Sequence, residues 1–303
     1  MTAMNRREFI ASGLAAGWAA MSAGAAESGV QLGFSLYGMR GLPLEEALRV
    51  CAQIGYEQVE FALIPGYASE PKNFSAEARR SVVERLAALK LSVPCLMLNL
   101  SLTADAKTHA EGLEAIVEAA RLARELNAGS PPILETVLGG KPALWEEQRG
   151  GMVERLGGWV EAAQKAQTRI ALKAHVKSAV SSPERLLWLL NEVKSEHLCA
   201  AYDFSHFEVQ GMDLERTLDA LIPQTGFIHV KDSSGDASKF EFLLPGEGRT
   251  DYVKYFSLLK RMRYSGPVCV EVSGMIFNKP GYDPEVAARR SYEALRKAMA
   301  SVS

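Results

Sequence analysis

The chain has 303 residues, 48% of them hydrophobic and 23% charged, with a formal charge of −2 at pH 7. That is ordinary globular composition, enough for one large barrel or two small domains. The charge balance and the lack of a basic run interleaved with aromatics give no support to nucleic-acid binding. Four cysteines, Cys51, Cys95, Cys199 and Cys269, lie far apart in apolar patterns without a C-x-x-C spacing, and read as buried thiols rather than a redox pair.

At the amino end, Asn5-Arg6-Arg7-Glu8-Phe9-Ile10 precedes a mildly apolar, Gly/Ala-rich run from Ala11 to Ala20 and an A-x-A site at Ala23-Gly24-Ala25. The twin arginines followed by Phe and Ile resemble a twin-arginine export signal. The run is too short and too diluted by Gly and Ser to span a bilayer, and no other stretch is a better candidate. Residues 1–26 are therefore expected to be removed, leaving 27–303 in the periplasm and off the membrane. Loss of Arg6, Arg7 and Glu8 takes the formal charge from −2 to −3.

From Gln31 onward, short apolar runs alternate with longer amphipathic ones. Gln31 to Leu36 reads as a strand, and Leu44 to Ile54 as a helix with Leu44, Ala47, Leu48 and Cys51 on one face. Gln58 to Leu63, Leu91 to Met97, Pro132 to Leu138 and Arg169 to Ala174 read as strands. Between and after them come helices at Ser75 to Leu89, Ala106 to Leu126, Trp145 to Ala166 and Ser182 to Val193. The last of these opens on Ser-Ser-Pro-Glu, a capped and proline-started terminus. A strand ending on Asp203-Phe204-Ser205-His206, a helix at Leu214 to Leu221 and a strand ending on His229-Val230-Lys231-Asp232 follow. Asp251 to Arg263 is helical, Pro267 to Val272 extended, and Pro284 to Met299 the closing helix.

Eight strand–helix repeats over roughly 270 residues, without a linker, have the size and rhythm of a single (β/α)8 TIM barrel in the α/β class. A doubly wound open sheet is the competing architecture, but neither G-x-G-x-x-G nor a P-loop is present. The longest connection, Ser233 to Thr250, is expected to be a loop over the mouth.

Barrels keep their chemistry at the carboxyl ends of the strands, and four successive ends here carry ionisable groups: Lys173 and His175, Asp203 and His206, His229 and Lys231, and Glu271. An Asp and a His converging from neighbouring ends suit a divalent metal or the proton traffic of a sugar. Glu60 and Glu135 follow alternating strands and are candidates for the same mouth. Glu247 sits between Gly246 and Gly248 in a loop, where a turn needs Gly but not Glu, and is read as a lid contact.

The run Ile170-Ala171-Leu172 with His175, Asp203-x-x-His206, His229-x-Lys231-Asp232, Gly246-Glu247-Gly248 and Glu271 resembles the xylose isomerase-like barrel superfamily of sugar phosphate isomerases and epimerases. The likeness spans the mature chain. It implies one divalent metal (Mn, Zn or Mg) held by a Glu on the fifth strand, an Asp on the sixth, a His on the seventh and a Glu on the eighth. The last three fall on Asp203, His229 and Glu271, but the first position holds Lys173, an ammonium that cannot ligate a metal.

Three readings of Lys173 follow. It turns to the substrate beside a metal on the other three residues, it takes the metal's place, or it acts as an amine nucleophile in a Schiff-base lyase. The resemblance implies a carbohydrate substrate and an isomerase-class reaction, proton transfer next to a carbonyl, with Glu271 as principal base and Lys173 and His175 polarising or protonating oxygen. Glu60, Glu135, His206, Lys231 and Glu247 are the substrate-binding candidates. A metal-free sugar-binding or partner protein on the same barrel is the alternative from another class. Oligomeric state is not legible in the sequence.

Overall fold

The structure, a computed structural model, describes residues 29–302, so the leader at 1–26 lies outside them. The barrel strands are β1 (Gln31–Ser35), β2 (Gln58–Ala62), β3 (Cys95–Met97), β4 (Ile133–Val137), β5 (Ile170–Lys173), β6 (Leu198–Asp203) and β7 (Thr225–Val230). A two-stranded insertion, β8 (Asp232–Asp236) and β9 (Lys239–Leu243), precedes the last barrel strand, β10 (Pro267–Val270). All barrel pairs are parallel, and the ring closes in the order β1-β10-β7-β6-β5-β4-β3-β2. This is a single (β/α)8 barrel.

The helices are α1 (Leu44–Ile54), α2 (Ala76–Leu89), α3 (Ala106–Leu126), α4 (Trp145–Lys165), α5 (Pro183–Val193), α6 (Ser205–Glu208), α7 (Leu214–Leu221), α8 (Tyr252–Arg261), α9 (Gly274–Phe277) and α10 (Pro284–Ala300). Their starts are written in capping side chains that satisfy otherwise orphaned N–H groups. Ser182 accepts from the Arg185 N–H ahead of Pro183, and Asp283 accepts from the Glu285 and Val286 N–H groups ahead of Pro284. Among the described residues, no helix is long and apolar enough to cross a membrane.

Side chains alternate across each strand. In β6, Ala200 and Tyr202 face the helices, whereas Cys199, Ala201 and Asp203 face the lumen. The outward set packs with Leu48, Ile116, Leu218, Leu259 and Leu295 into one large apolar cluster. Inside the barrel only a thin floor is apolar: Cys95, Phe227 and Cys269 on one side, Ala171, Cys199 and Ala201 on the other, both against Ile133. All four cysteines are free and buried.

Three local expectations are corrected. The connection after Ser233 is no loop: Asp232–Asp236 pairs antiparallel with Lys239–Leu243. Asp232 holds the return of this hairpin, accepting from the Ser233, Gly246 and Thr250 N–H groups at 3.1, 3.0 and 3.0 Å. A Cβ at Gly248 would lie 2.5 Å from the Asp232 carboxylate, so Gly is required there to let the chain wrap that closely. The third strand is short because Pro94 has no N–H for the ladder; upstream only an isolated bridge joins Gln58 to Ser92. The residues after Asp203 coil at once into α6.

Candidate functional site

Above the apolar floor, the inward faces of six strands contribute a polar layer. Glu60 from β2, Glu135 from β4, Lys173 from β5, Asp203 from β6 and His229 from β7 are buried, and Glu271 follows β10. The strand register sets Asp203 beside His229, and His229 beside Cys269 two residues before Glu271.

Lys173 lies at the centre of this layer. Its Nζ donates to Glu271 Oε2 at 2.9 Å and to His229 Nδ1 at 2.8 Å, with Asp203 Oδ2 at 3.4 Å and Glu135 Oε1 at 3.9 Å. A second ammonium, Lys231 Nζ, donates to the same two oxygens, Asp203 Oδ2 and Glu271 Oε2. The four groups form a ring of alternating charge. Burial alone would lower the Lys173 amine, but Glu271, Glu135 and Asp203 outweigh it and hold the amine above its ordinary value. Burial likewise opposes the Glu271 charge, yet Lys173 and Lys231 hold that carboxyl well below its usual range. A lysine fixed as ammonium offers no free amine, so this geometry does not support the nucleophile reading.

His229 Nε2 meets Glu60 Oε2 at 2.8 Å. Burial disfavours the charged ring and Glu60 favours it, with the balance above the ordinary imidazole value. The contact at Nδ1 nevertheless requires a neutral ring, because two N–H donors cannot face each other at 2.8 Å while Lys173 is charged. The ring is then an Nε2–H donor to Glu60. The His175 and His206 rings lie against each other at 4.1 Å between centroids, tilted by 43°. Burial and the nearby lysines push His175 down to about 4, and burial beside His175 puts His206 well below its ordinary value. Both are neutral at pH 7. His175 Nδ1 accepts from the Lys177 N–H at 3.1 Å, which leaves its proton on Nε2.

Glu135 is different. It is 1% exposed, its Oε1 has no hydrogen-bond partner, and burial raises it to about 7 against the opposing pull of Lys173 and His229. A carboxyl poised there can hold or release a proton near neutral pH.

A cavity of about 260 Å³ opens over this layer. Of the residues expected at the site, Glu135, Lys173, His175, His206, Lys231 and Glu271 line it. Asp203, His229 and Glu60 lie beneath as their partners. Glu247 is elsewhere: it pairs with Arg290 of α10 at 2.8 Å and borders a separate groove. Its neighbouring glycines serve the Asp232 wrap and carry no signal for a lid. Tyr37, Asn99 and Ser273 also line the cavity and were missed, although each lies two or three residues past the end of a barrel strand and the strand-end rule reaches all three. Phe242, from β9, roofs it, lying 5.0 Å from the Lys231 ammonium and edge-on to His206. Its one trace in the sequence is the alternation Lys239-Phe240-Glu241-Phe242, which marks a strand but not a roof.

Donor atoms of metal-binding type do converge, as Asp203, His206 and Glu271, and as Glu60, His229 and Cys269. In the first group, Lys231 already bonds both carboxylates. In the second, His229 is bonded to Glu60, and burial keeps the Cys269 thiol protonated. The expected set, Asp203, His229 and Glu271, surrounds Lys173 Nζ. An ammonium and a divalent ion exclude each other at that point, so these residues do not fit a metal while Lys173 is present.

Comparison with known proteins agrees with the barrel fold. The profile of the xylose isomerase-like TIM barrel family matches residues 48–298. The chain is 24% identical over 273 residues to L-ribulose-5-phosphate 3-epimerase UlaE of Escherichia coli (strain K12), covering 85% of this chain and 91% of that one. Among solved structures, it resembles the IOLI protein with a bound zinc atom at a TM-score of 0.73 and 19% identity, over 90% of this chain and 98% of that one. It resembles 3-keto-D-glucoside 4-epimerase YcjR from Escherichia coli at a TM-score of 0.70 and 16% identity, over 88% and 99%.

Proposed function

Because the chain belongs to the xylose isomerase-like TIM barrel family, we propose that it is an isomerase-class enzyme moving a proton at the carbon next to a carbonyl of a sugar or keto-sugar. The observation that carries this is Glu135: a buried carboxyl whose Oε1 accepts no hydrogen bond and whose value is about 7, facing a sugar-sized cavity that two ammonium groups also line. Glu135 takes the proton from the hydroxyl-bearing carbon, the carbonyl oxygen becomes an enediolate oxygen, and the Glu135 carboxylic acid returns the proton to the former carbonyl carbon while the hydroxyl proton passes to the former carbonyl oxygen, which completes the isomerisation. Lys231 and the Nε2–H of His175 hold the developing negative charge. Glu271, the base expected from sequence, is bonded at one oxygen by both ammonium groups and is a poor proton acceptor.

The substrate we propose is a free sugar rather than a phosphosugar. Among the described residues lining the cavity, the only cations are Lys173 and Lys231, both engaged by Asp203 and Glu271, and no arginine is present. A periplasmic setting, proposed from the leader, favours free sugars for the same reason.

The test is exchange of substrate C–H for solvent deuterium, followed by NMR over a panel of free ketoses, keto-sugars and pentoses. Wild type is expected to exchange at least one of them, with a rate that climbs as pH rises toward about 7 and then levels, since Glu135 is protonated and inert below that value. Glu135→Gln is expected to slow exchange about 10²- to 10⁴-fold. A folded protein that binds a sugar without exchanging any would instead be the sugar-binding module.

A further inference from the structure

We infer that Lys173 is a built-in cation that permanently takes the place of the family's divalent ion, so that this barrel is metal-independent while keeping the rest of the ion's ligand set.

The argument rests on charge and position. Lys173 Nζ is surrounded by groups from four different strand ends, hydrogen-bonded to His229 at 2.8 Å and Glu271 at 2.9 Å and ion-paired with Asp203 at 3.4 Å and Glu135 at 3.9 Å. Its side chain is 2% exposed, and its stem rises from the inward face of β5, so it cannot swing out into water without leaving the buried Asp203 and Glu271 carboxylates to Lys231 alone. Two ammonium groups share the same pair of oxygens, Asp203 Oδ2 and Glu271 Oε2. Together they supply the two positive charges that one divalent ion would supply. This explains why Asp203, His229 and Glu271 remain in a chain whose fifth strand ends in lysine: they are the lysine's counter-charges and acceptor. Lys173 is thus a positioning residue, holding Glu271 and His229 in place, while Lys231 and His175 face the substrate. That last division of labour rests on the proposed reaction; the ion replacement does not.

The test compares full-length wild type with Lys173→Glu and Lys173→Gln, each stripped by chelator, dialysed and then offered Mn²⁺ or Zn²⁺. Bound metal is measured by mass spectrometry and thermal stability by melting. Wild type is expected to hold no stoichiometric ion and to melt at the same temperature with chelator or metal. Lys173→Glu, which turns the cation into a ligand, is expected to bind about one ion per chain and to gain several degrees on loading. A wild-type protein that retains one ion per chain would overturn the inference, as would folded variants that take up neither ion. If Lys173→Glu does not fold, Lys173→Gln decides in the same two ways. If neither folds, the wild-type measurement decides alone, tight uptake overturning the inference and none supporting it. Sugar exchange is not read here, so failure of the proposed reaction leaves this outcome distinguishable.

Discussion

On the outer face of the strands, Phe34, Phe61, Leu134 and Ile228 pack against the helices in a continuous apolar layer. On the inner face of the same wall, a few ångströms away, Glu60, Glu135, Lys173, Asp203 and His229 are buried with hardly any apolar neighbours above the floor. Both regions exclude water, but they are held together differently. The shell tolerates a lost contact by the area it loses. The lumen is held by mutual compensation, in which each charge stays buried only because its partners do.

The comparison breaks most sharply at Lys173. Replacing it with Met leaves Asp203 and Glu271 facing Lys231 alone, and is expected to cost about 3–5 kcal/mol in urea unfolding. Adding Asp203→Asn should recover part of that loss, a non-additivity that independent contacts would not show. In the shell, Leu218→Ala, at a fully buried position of α7, is expected to cost about 2–5 kcal/mol by leaving a cavity. It should leave deuterium exchange of the sugar unchanged, since Leu218 touches no lumen charge. The smallest effect is expected at the roof. Phe242→Ala removes a cation–π contact with Lys231 worth about 1–2 kcal/mol. Amides of 232–243 should then exchange faster with solvent while those of the barrel strands keep their protection.

What was legible in the sequence follows from the same division. Strand ends announce themselves because an apolar run breaks into a polar group, as at Asp203, His229 and Glu271, and the capped helix start at Ser182 is local chemistry. Depth is not local. Glu60 and Glu135 follow the same kind of strand, yet Glu60 is sealed beneath the site against His229 and Glu135 lines the cavity. That difference depends on how far each strand runs up the barrel. The hairpin was missed because its first strand, Asp232-Ser233-Ser234-Gly235-Asp236, has no apolar alternation; the alternating signal is confined to Lys239-Phe240-Glu241-Phe242, whose Phe242 packs with Val176 and Val209. Glu247 misled because its glycines were needed for the Asp232 wrap and not for anything Glu247 does.

That wrap has a consequence for engineering. The hairpin grows out of β7 with no spacer, Lys231 standing between the last residue of β7 and the Asp232 clamp. Its tip, by contrast, satisfies itself: Asp236 accepts from the Ser238 and Lys239 N–H groups. Root and tip are therefore separable parts. The turn at 236–239 can be lengthened or exchanged to reshape the roof over larger sugars. Changes at 231–233 or 246–250 would pull on an ammonium that anchors Asp203 and Glu271.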